Sequence, residues 1–501
     1  NDRSSRGRIR LISRTMLERG RTLPVPSILV IIGFGAFITA LDQTVVVTVL
    51  PSVMMDLKVP ISELDRASWV ITAYLLGYTV AMPLIGRLGD VYGYPRVYQA
   101  SLVVFCVGTA LVAISPSLGW MVGARVIQAV GGGATIPIGM ALATTLVPKG
   151  QRGLALGIVG ASAEAGSMLG PAYGGAIVAV LHWRWIFWLN IPQSAAVFAA
   201  LLWLPNRREV GAKMDYMGGT VLVGALLFLL LALSRTSLFT VDSAYPFLLA
   251  AGGVVMLVLL VLVESKTYHP LLVPALFRSW SFLTSNLVQV LVGVALIIAM
   301  VTVPLMANTV MGKSPFIGSL WLLRLTAIIP IGAVTGGLLV SRLGPSTLTT
   351  AGLVLVAVGM FLASGWELGV SDPQLTAHLL IAGFGFGLVI APVAVSALES
   401  ASDDYQGTAA SVVVMSRMLG MTLGLAALSA WGVQHFQVLT AGLEVPLPLS
   451  GQEANAFEAR ATEYAANINA AGLKLFQTFF LAASIISLVA VLPALGMKRA
   501  E

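Results

Sequence analysis

An all-α fold that crosses a membrane many times is what this sequence predicts, and three observations predict it. Hydrophobic residues make up 57 % of the 501 residues and charged residues only 10 %, where a soluble domain is about a quarter charged. Apolar runs of about 20 residues recur along nearly the whole chain, each long enough at about 1.5 Å per residue to cross a hydrocarbon layer about 30 Å thick. Glycine is abundant, at 51 residues; it weakens helices in water but lets helices approach closely in lipid. No single core could hide this much apolar surface from water, so lipid is the expected solvent for much of it.

The runs fall near 27–50, 68–88, 97–115, 118–147, 152–180, 185–204, 216–234, 244–263, 281–308, 317–340, 347–365, 376–398, 407–440 and 471–496. They predict about fourteen helices. Before the first lies a segment, 1–26, carrying Arg3, Arg6, Arg8, Arg10, Arg14, Arg19 and Arg21. The run after it is too long for a signal-peptide core and no small-residue cleavage site follows. The segment reads as a basic arm on an anionic lipid face. Residues 27–204 then form a six-helix half. Residues 205–280 form a polar loop and two linker helices without charge in their middles, which are expected to face lipid. Residues 281–501 form a second six-helix half. Near 432–474 its last two helices are expected to project as a helical hairpin. Apolar character runs on past Trp431 and His435, a turn at Glu444-Val445-Pro446-Leu447-Pro448 follows, and Gln452 to Lys474 is rich in helix formers.

Short-loop Lys and Arg set orientation. The basic arm, Arg96, Lys149, Arg152, Arg207, Arg208, Lys213, Lys266, Arg278, Arg342, Lys498 and Arg499 fall on one side, which predicts both termini in the cytoplasm of a cell-membrane protein. The net charge of +7 is spread between apolar runs rather than gathered in a patch, so no nucleic-acid partner is expected. Cys106 is the only cysteine, inside an apolar run, and excludes an intrachain disulfide. There is no Cys/His cluster for a metal and no phosphate loop. Gly383, Gly385 and Gly387 lie within a membrane helix and read as packing. No cofactor is expected, and a monomer is.

Ionisable residues in apolar helices are costly and functional by default. Asp42, Arg125, Glu164, Arg324 and Arg417 stand out. Gly166, Gly170 and Gly174 recur every four residues and form one packing face. Glu164 lies about 200° round the helix from Gly166 at about 100° per residue, so it points away from that seam, toward a central cavity. A carboxyl there suits proton exchange; the alternative is a structural carboxylate paired to an arginine. Asp42 is either a second protonation site or half of an ion pair. Arg125 and Arg417 are natural partners for these acids. Arg324 could instead snorkel outward. His182 and His435 read as interfacial residues.

The run Gly86-Arg87-Leu88-Gly89-Asp90-Val91-Tyr92-Gly93-Tyr94-Pro95-Arg96 resembles the signature loop of the major facilitator superfamily. It departs from the pattern at Val91, Tyr94 and Pro95, where that family has basic residues. By this resemblance Gly86, Arg87, Asp90, Gly93 and Arg96 would form a cytoplasmic gate, with Asp90 facing a helix N-terminus or an arginine. Residues 336–344 are a weak echo, with Ser341 where Asp would stand. Arg125 to Gly132 resembles the fourth-helix motif, and Gly166, Gly170, Pro171, Gly174 and Gly175 resemble the fifth-helix antiporter motif. Leu41-Asp42-Gln43-Thr44 and Trp183 to Phe187, with Asn190 and Pro192, resemble the fourteen-helix drug:proton antiporter branch. Tyr74 to Tyr78, Ala81 to Leu84, Ala163-Glu164, Pro330 to Gly337 and Ala427 to Gly432 give a more specific resemblance, to the family of mycobacterial triacylglyceride and multidrug exporters that work with a lipid-carrying lipoprotein.

The resemblance implies a major facilitator fold and a coupling or ion-lock network of Asp42, Glu164 and Arg417. It also implies export of a lipid or other hydrophobic molecule by alternating access, driven by a proton gradient, with an extracytoplasmic lipoprotein as partner. Drug cargo is the alternative; a lipid predicts an apolar cavity with a lateral opening, a drug a closed, more polar pocket. A receptor or scaffold that does not transport is the competing class, and the buried charges argue against it. No nucleophile–base pair or metal set supports an enzyme.

Overall fold

The computed structural model describes residues 23–60, 63–206, 214–234, 245–264, 267, 271, 274–446 and 454–497. The arginines of the basic arm, together with Arg207, Arg208, Lys213, Lys266, Leu447, Pro448, Lys498 and Arg499, lie outside the described residues. Within them every regular element is helical. In chain order these are α1 (Val25–Asp56), α2 (Leu64–Tyr92), α3 (Tyr94–Ala113), α4 (Leu118–Gly132), α5 (Thr135–Leu146), α6 (Arg152–Val180), α7 (Arg184–Leu201), α8 (Tyr216–Ser234) and α9 (Tyr245–Glu264). There follow α10 (Pro274–Arg278), α11 (Trp280–Thr309), α12 (Pro315–Ala327), α13 (Ile329–Leu343), α14 (Pro345–Ser364), α15 (Asp372–Glu399), α16 (Gln406–Thr440), α17 (Ala454–Val489) and α18 (Val491–Ala494).

Twelve helical spans among the described residues are long and apolar enough to cross a membrane. Arg184–Leu201 and Tyr216–Ala232 are helical but outside that set. Two apolar runs that read as single helices are broken. The first breaks after Gly132, where the Gly131-Gly132-Gly133 sequence disfavours helix. The second breaks at Ile328, because Pro330 opens α13 without an amide proton to give the preceding turn. The apolar residues Val254, Val255, Val258, Val261 and Leu262 of α9 are exposed, as a helix bathed in lipid requires.

Helices α1 to α7 pack mainly on one another, as do α11 to α18, and α8 and α9 pair together. Glycine sets the tightest contacts. The α1–α6 seam uses Gly166, Gly170 and Gly174, all buried; a Cβ on Gly166 would come within 3.1 Å of the Leu41 amide. Pro171 lies on the exposed side of α6 instead of in the seam, one residue and about 100° on from Gly170.

The two sets of helices meet through α6 with α13 and α15, and through α16 with α2 and α5. These contacts gather toward the end of the bundle that carries the Gly93 and Gly344 turns, called here the basic end. There Gly153 and Gly157 of α6 face Gly337 and Ala333 of α13; a Cβ on Gly157 would lie 2.6 Å from the Ala333 carbonyl oxygen. Gly86 of α2 meets Gly407 and Ser411 of α16. At the opposite end α16 runs to Thr440 and α17 begins at Ala454. The two limbs touch where Trp431 lies against Phe479, with ring centroids 5.7 Å apart.

Candidate functional site

Two ion pairs sit among the spanning helices, and their surroundings differ. The first joins α1 to α4: Arg125 donates to Asp42 at 2.8 Å, and both side chains are 0 % exposed. Asn190 of α7 donates to Asp42 at 2.7 Å and Gln128 does so at 3.1 Å. Arg125 also donates to Gln128 at 2.7 Å, and Gln128 to Thr109 of α3 at 2.8 Å. The guanidinium stands 4.0 Å from the centre of the Tyr74 ring. Every contact here lies within one set of helices, so the pair staples that set together, and its carboxylate is fully buried.

The second pair joins the two sets. Arg417 of α16 donates to Glu164 of α6 at 2.7 Å, with side-chain exposures of 15 % and 19 %. Glu164 therefore points away from the α1 seam, as its helical phase requires, and meets an arginine there. It is a partly exposed pair, and breaking it removes one of the links between the two sets, beside the Asp90 cap and the α6–α13 seam.

The basic end closes through Asp90. Its carboxylate accepts from the Gly407 amide at 2.8 Å, the Thr408 amide at 3.0 Å, the Thr408 hydroxyl and the Tyr94 hydroxyl at 2.8 Å. It thus caps α16, a negative group on the positive end of a helix that belongs to the other set. Tyr94, which replaces a basic residue in the signature loop, is one of the donors. Arg87 is 1 % exposed and lies 5.1 Å from the centre of the Tyr405 ring. Gly93, at φ 94, provides the left-handed turn that starts α3.

Arg96 departs from expectation. It is exposed and lines a shallow apolar groove with Tyr92, Val97 and Val104 rather than joining the gate. Three residues past Gly93, it has turned out of the interface. Arg324 does not snorkel free: it donates to Asp372 at 2.8 Å and to Thr376 at 2.7 Å. A further cluster ties the end of α1 to the start of α7, where Asp56 accepts from Arg184, His182 and Trp183. His435 stacks on Trp431 with ring centroids 4.6 Å apart. Among the described residues no group of three or more His, Cys, Asp or Glu is placed to hold a metal ion.

An apolar groove of about 1360 Å³ runs along α1, α6 and α13. Its lining includes Leu29, Phe37, Leu154, Ile158 and Pro330, and its polar side chains are Gln151, Ser162 and Thr335. Val30, Phe34 and Ile331 stand exposed along its edge, so its open side is apolar. Ala165, next to Glu164 on α6, lies at its wall.

Sequence reasoning had no hold on Gly407 and Thr408 as partners of Asp90, because a cap depends on which helix end arrives there. Asn190 was marked only as part of a motif.

The architecture is that of a polytopic membrane protein made of two helix sets, closed at one end and pinned across the middle by an ion pair. The chain belongs to the Major Facilitator Superfamily, whose profile matches residues 32–425. It is 36 % identical over 448 residues to a triacylglyceride transporter of Mycolicibacterium hassiacum, covering 85 % of this chain and 82 % of that protein. It is 33 % identical over 473 residues to a probable triacylglyceride transporter of Mycobacterium leprae, covering 90 % and 92 %. Its fold is similar to the crystal structure of the human organic anion transporter MFSD10, with a TM-score of 0.60, 14 % identity, and coverage of 93 % and 100 %.

Proposed function

We propose that this protein is a proton-coupled exporter that moves a triacylglyceride-like lipid by alternating access between its two helix sets. The observation that carries the proposal is the Glu164–Arg417 pair, which joins the two sets and is partly exposed. Protonating Glu164 removes the charge that holds Arg417, and so biases the balance between conformations. The sealed Asp42–Arg125 pair acts as scaffold, while Glu164 exchanges the proton. The proton gradient supplies the energy and no cofactor takes part.

Lipid cargo is favoured over drugs by the open apolar groove and by the lipid named for the relatives. On this reading the basic end faces the cytoplasm of the cell membrane, both termini are cytoplasmic, and the chain crosses fourteen times as a monomer. The α16–α17 hairpin then projects outward, where a lipoprotein partner would collect the lipid.

The test is gradient-driven movement of a fluorescent triacylglyceride in proteoliposomes, and separately of ethidium. Glu164→Gln is expected to bring lipid movement down to the gradient-free rate. Lipid movement at the wild-type rate in the variant would overturn the coupling role, and ethidium movement alone would make the protein a drug antiporter.

A further inference from the structure

Tyr78 of α2 is 0 % exposed, and its hydroxyl has no hydrogen-bond partner. A buried hydroxyl without a partner is destabilising. Such a group calls for an explanation, and its surroundings offer one. The Tyr78 ring stacks on Tyr74, with centroids 5.9 Å apart and planes 20° from parallel. Tyr74 in turn lies beneath Arg125 of the sealed pair. The charges that bear on Tyr78 are Glu164 of α6 and Arg417 of α16. Those that bear on Tyr74 are Asp42 of α1 and Arg125 of α4. Tyr98 of α3 is the other titratable side chain that interacts with Tyr78. Tyr78 is thus linked to the sealed pair through the Tyr74 ring, and the Glu164–Arg417 pair is the other charge pair that acts on it.

We propose that Tyr78 is a positioning residue for the transport cycle, whose hydroxyl donates to the carbonyl oxygen of Glu164 once that carboxyl has taken a proton and released Arg417. This rests on the proton-sensitive Glu164–Arg417 pair proposed above. Tyr78 and Glu164 belong to the same helix set, so their hydrogen bond survives when the other set carries Arg417 away. The exchange satisfies a hydroxyl that is unsatisfied while the pair is closed, and so favours release. It also gives the sealed Asp42–Arg125 network a part in the cycle: through Tyr74 it holds the Tyr78 ring in place.

The experiment places spin labels on Val47→Cys and Leu305→Cys, both exposed on α1 and α11, in a Cys106→Ser background. The distance distribution is followed against pH in lipid nanodiscs, alongside thermal unfolding. Wild type is expected to shift between two populations as pH falls, and Glu164→Gln to stay flat. Tyr78→Phe keeps the ring stack and loses only the hydroxyl. It is expected to unfold at the wild-type temperature or above, with its midpoint moved to lower pH by about one unit, a tenfold higher proton concentration. A Tyr78→Phe midpoint equal to wild type, with Glu164→Gln flat, would overturn the role of Tyr78 and leave the ion-pair reading intact. A wild-type distribution indifferent to pH, or one that Glu164→Gln leaves unchanged, would overturn both.

Discussion

Asp42 and Glu164 are both carboxylates in apolar helices with an arginine at hydrogen-bond distance, yet the geometry gives them different work. Asp42 has three side-chain donors and no exposure. Removing its cation would strand a charge in a low-dielectric interior, which typically costs about 3–5 kcal/mol. Arg125→Gln is therefore expected to lower the thermal unfolding temperature sharply, and Asp42→Asn with Arg125→Gln to recover most of the loss. Arg417→Gln, at a partly exposed site, is expected to lower it less. If Arg125→Gln and Arg417→Gln unfold alike, the distinction between scaffold and switch fails. That these residues matter was legible in the sequence, because a charge in a hydrocarbon layer announces its cost. Which acid would be sealed and which partly exposed was not, since that depends on how far apart the helices stand. Tyr78 gave no such sign, because a tyrosine is an ordinary residue in a membrane helix until its neighbours are known.

Among the elements, α6 carries two glycine seams on different faces. Gly166, Gly170 and Gly174 bind it to α1 within its own set, and Gly153 and Gly157 bring it against α13 of the other. The first seam was readable from its four-residue spacing. The second was not recognised, since nothing in the sequence names its partner Gly337. The motif groups Pro171 with the seam, although its helical phase turns it outward, and the motif alone likewise assigns Arg96 to the gate. A side chain at position 157 would press into the α13 backbone, so Gly157→Val is expected to hold the basic end apart. The check is a cysteine in place of buried Ser411, with Cys106→Ser to remove the native thiol. Its labelling by a small thiol reagent should rise several-fold when Gly157→Val is added. Unchanged labelling would mean that the α6–α13 contact is not what shuts this end.

For the whole molecule, the alternation of apolar runs with basic loops carried most of the fold, because hydrophobic length and charge asymmetry are written directly in composition. The same asymmetry predicts sidedness. In a Cys106→Ser background, Lys149→Cys should react with a membrane-impermeant reagent only in inverted vesicles, and Thr440→Cys only in intact cells; the reverse pattern would invert the proposed direction of transport. The conformation was not legible, because one sequence serves both ends of an alternating-access cycle and only packing shows which end is shut. The length of α16 carries a mechanical consequence. Its 35 residues contain no proline, so it behaves as a stiff lever with Arg417 as a point along the shaft. At about 1.5 Å per residue, a swing of about 10° about that point moves the Gln406 end by about 3 Å and the Thr440 tip by about 6 Å. The tip thus doubles the stroke of the gate, converting a small slip at the Asp90 cap into a visible sweep on the far side of the bilayer.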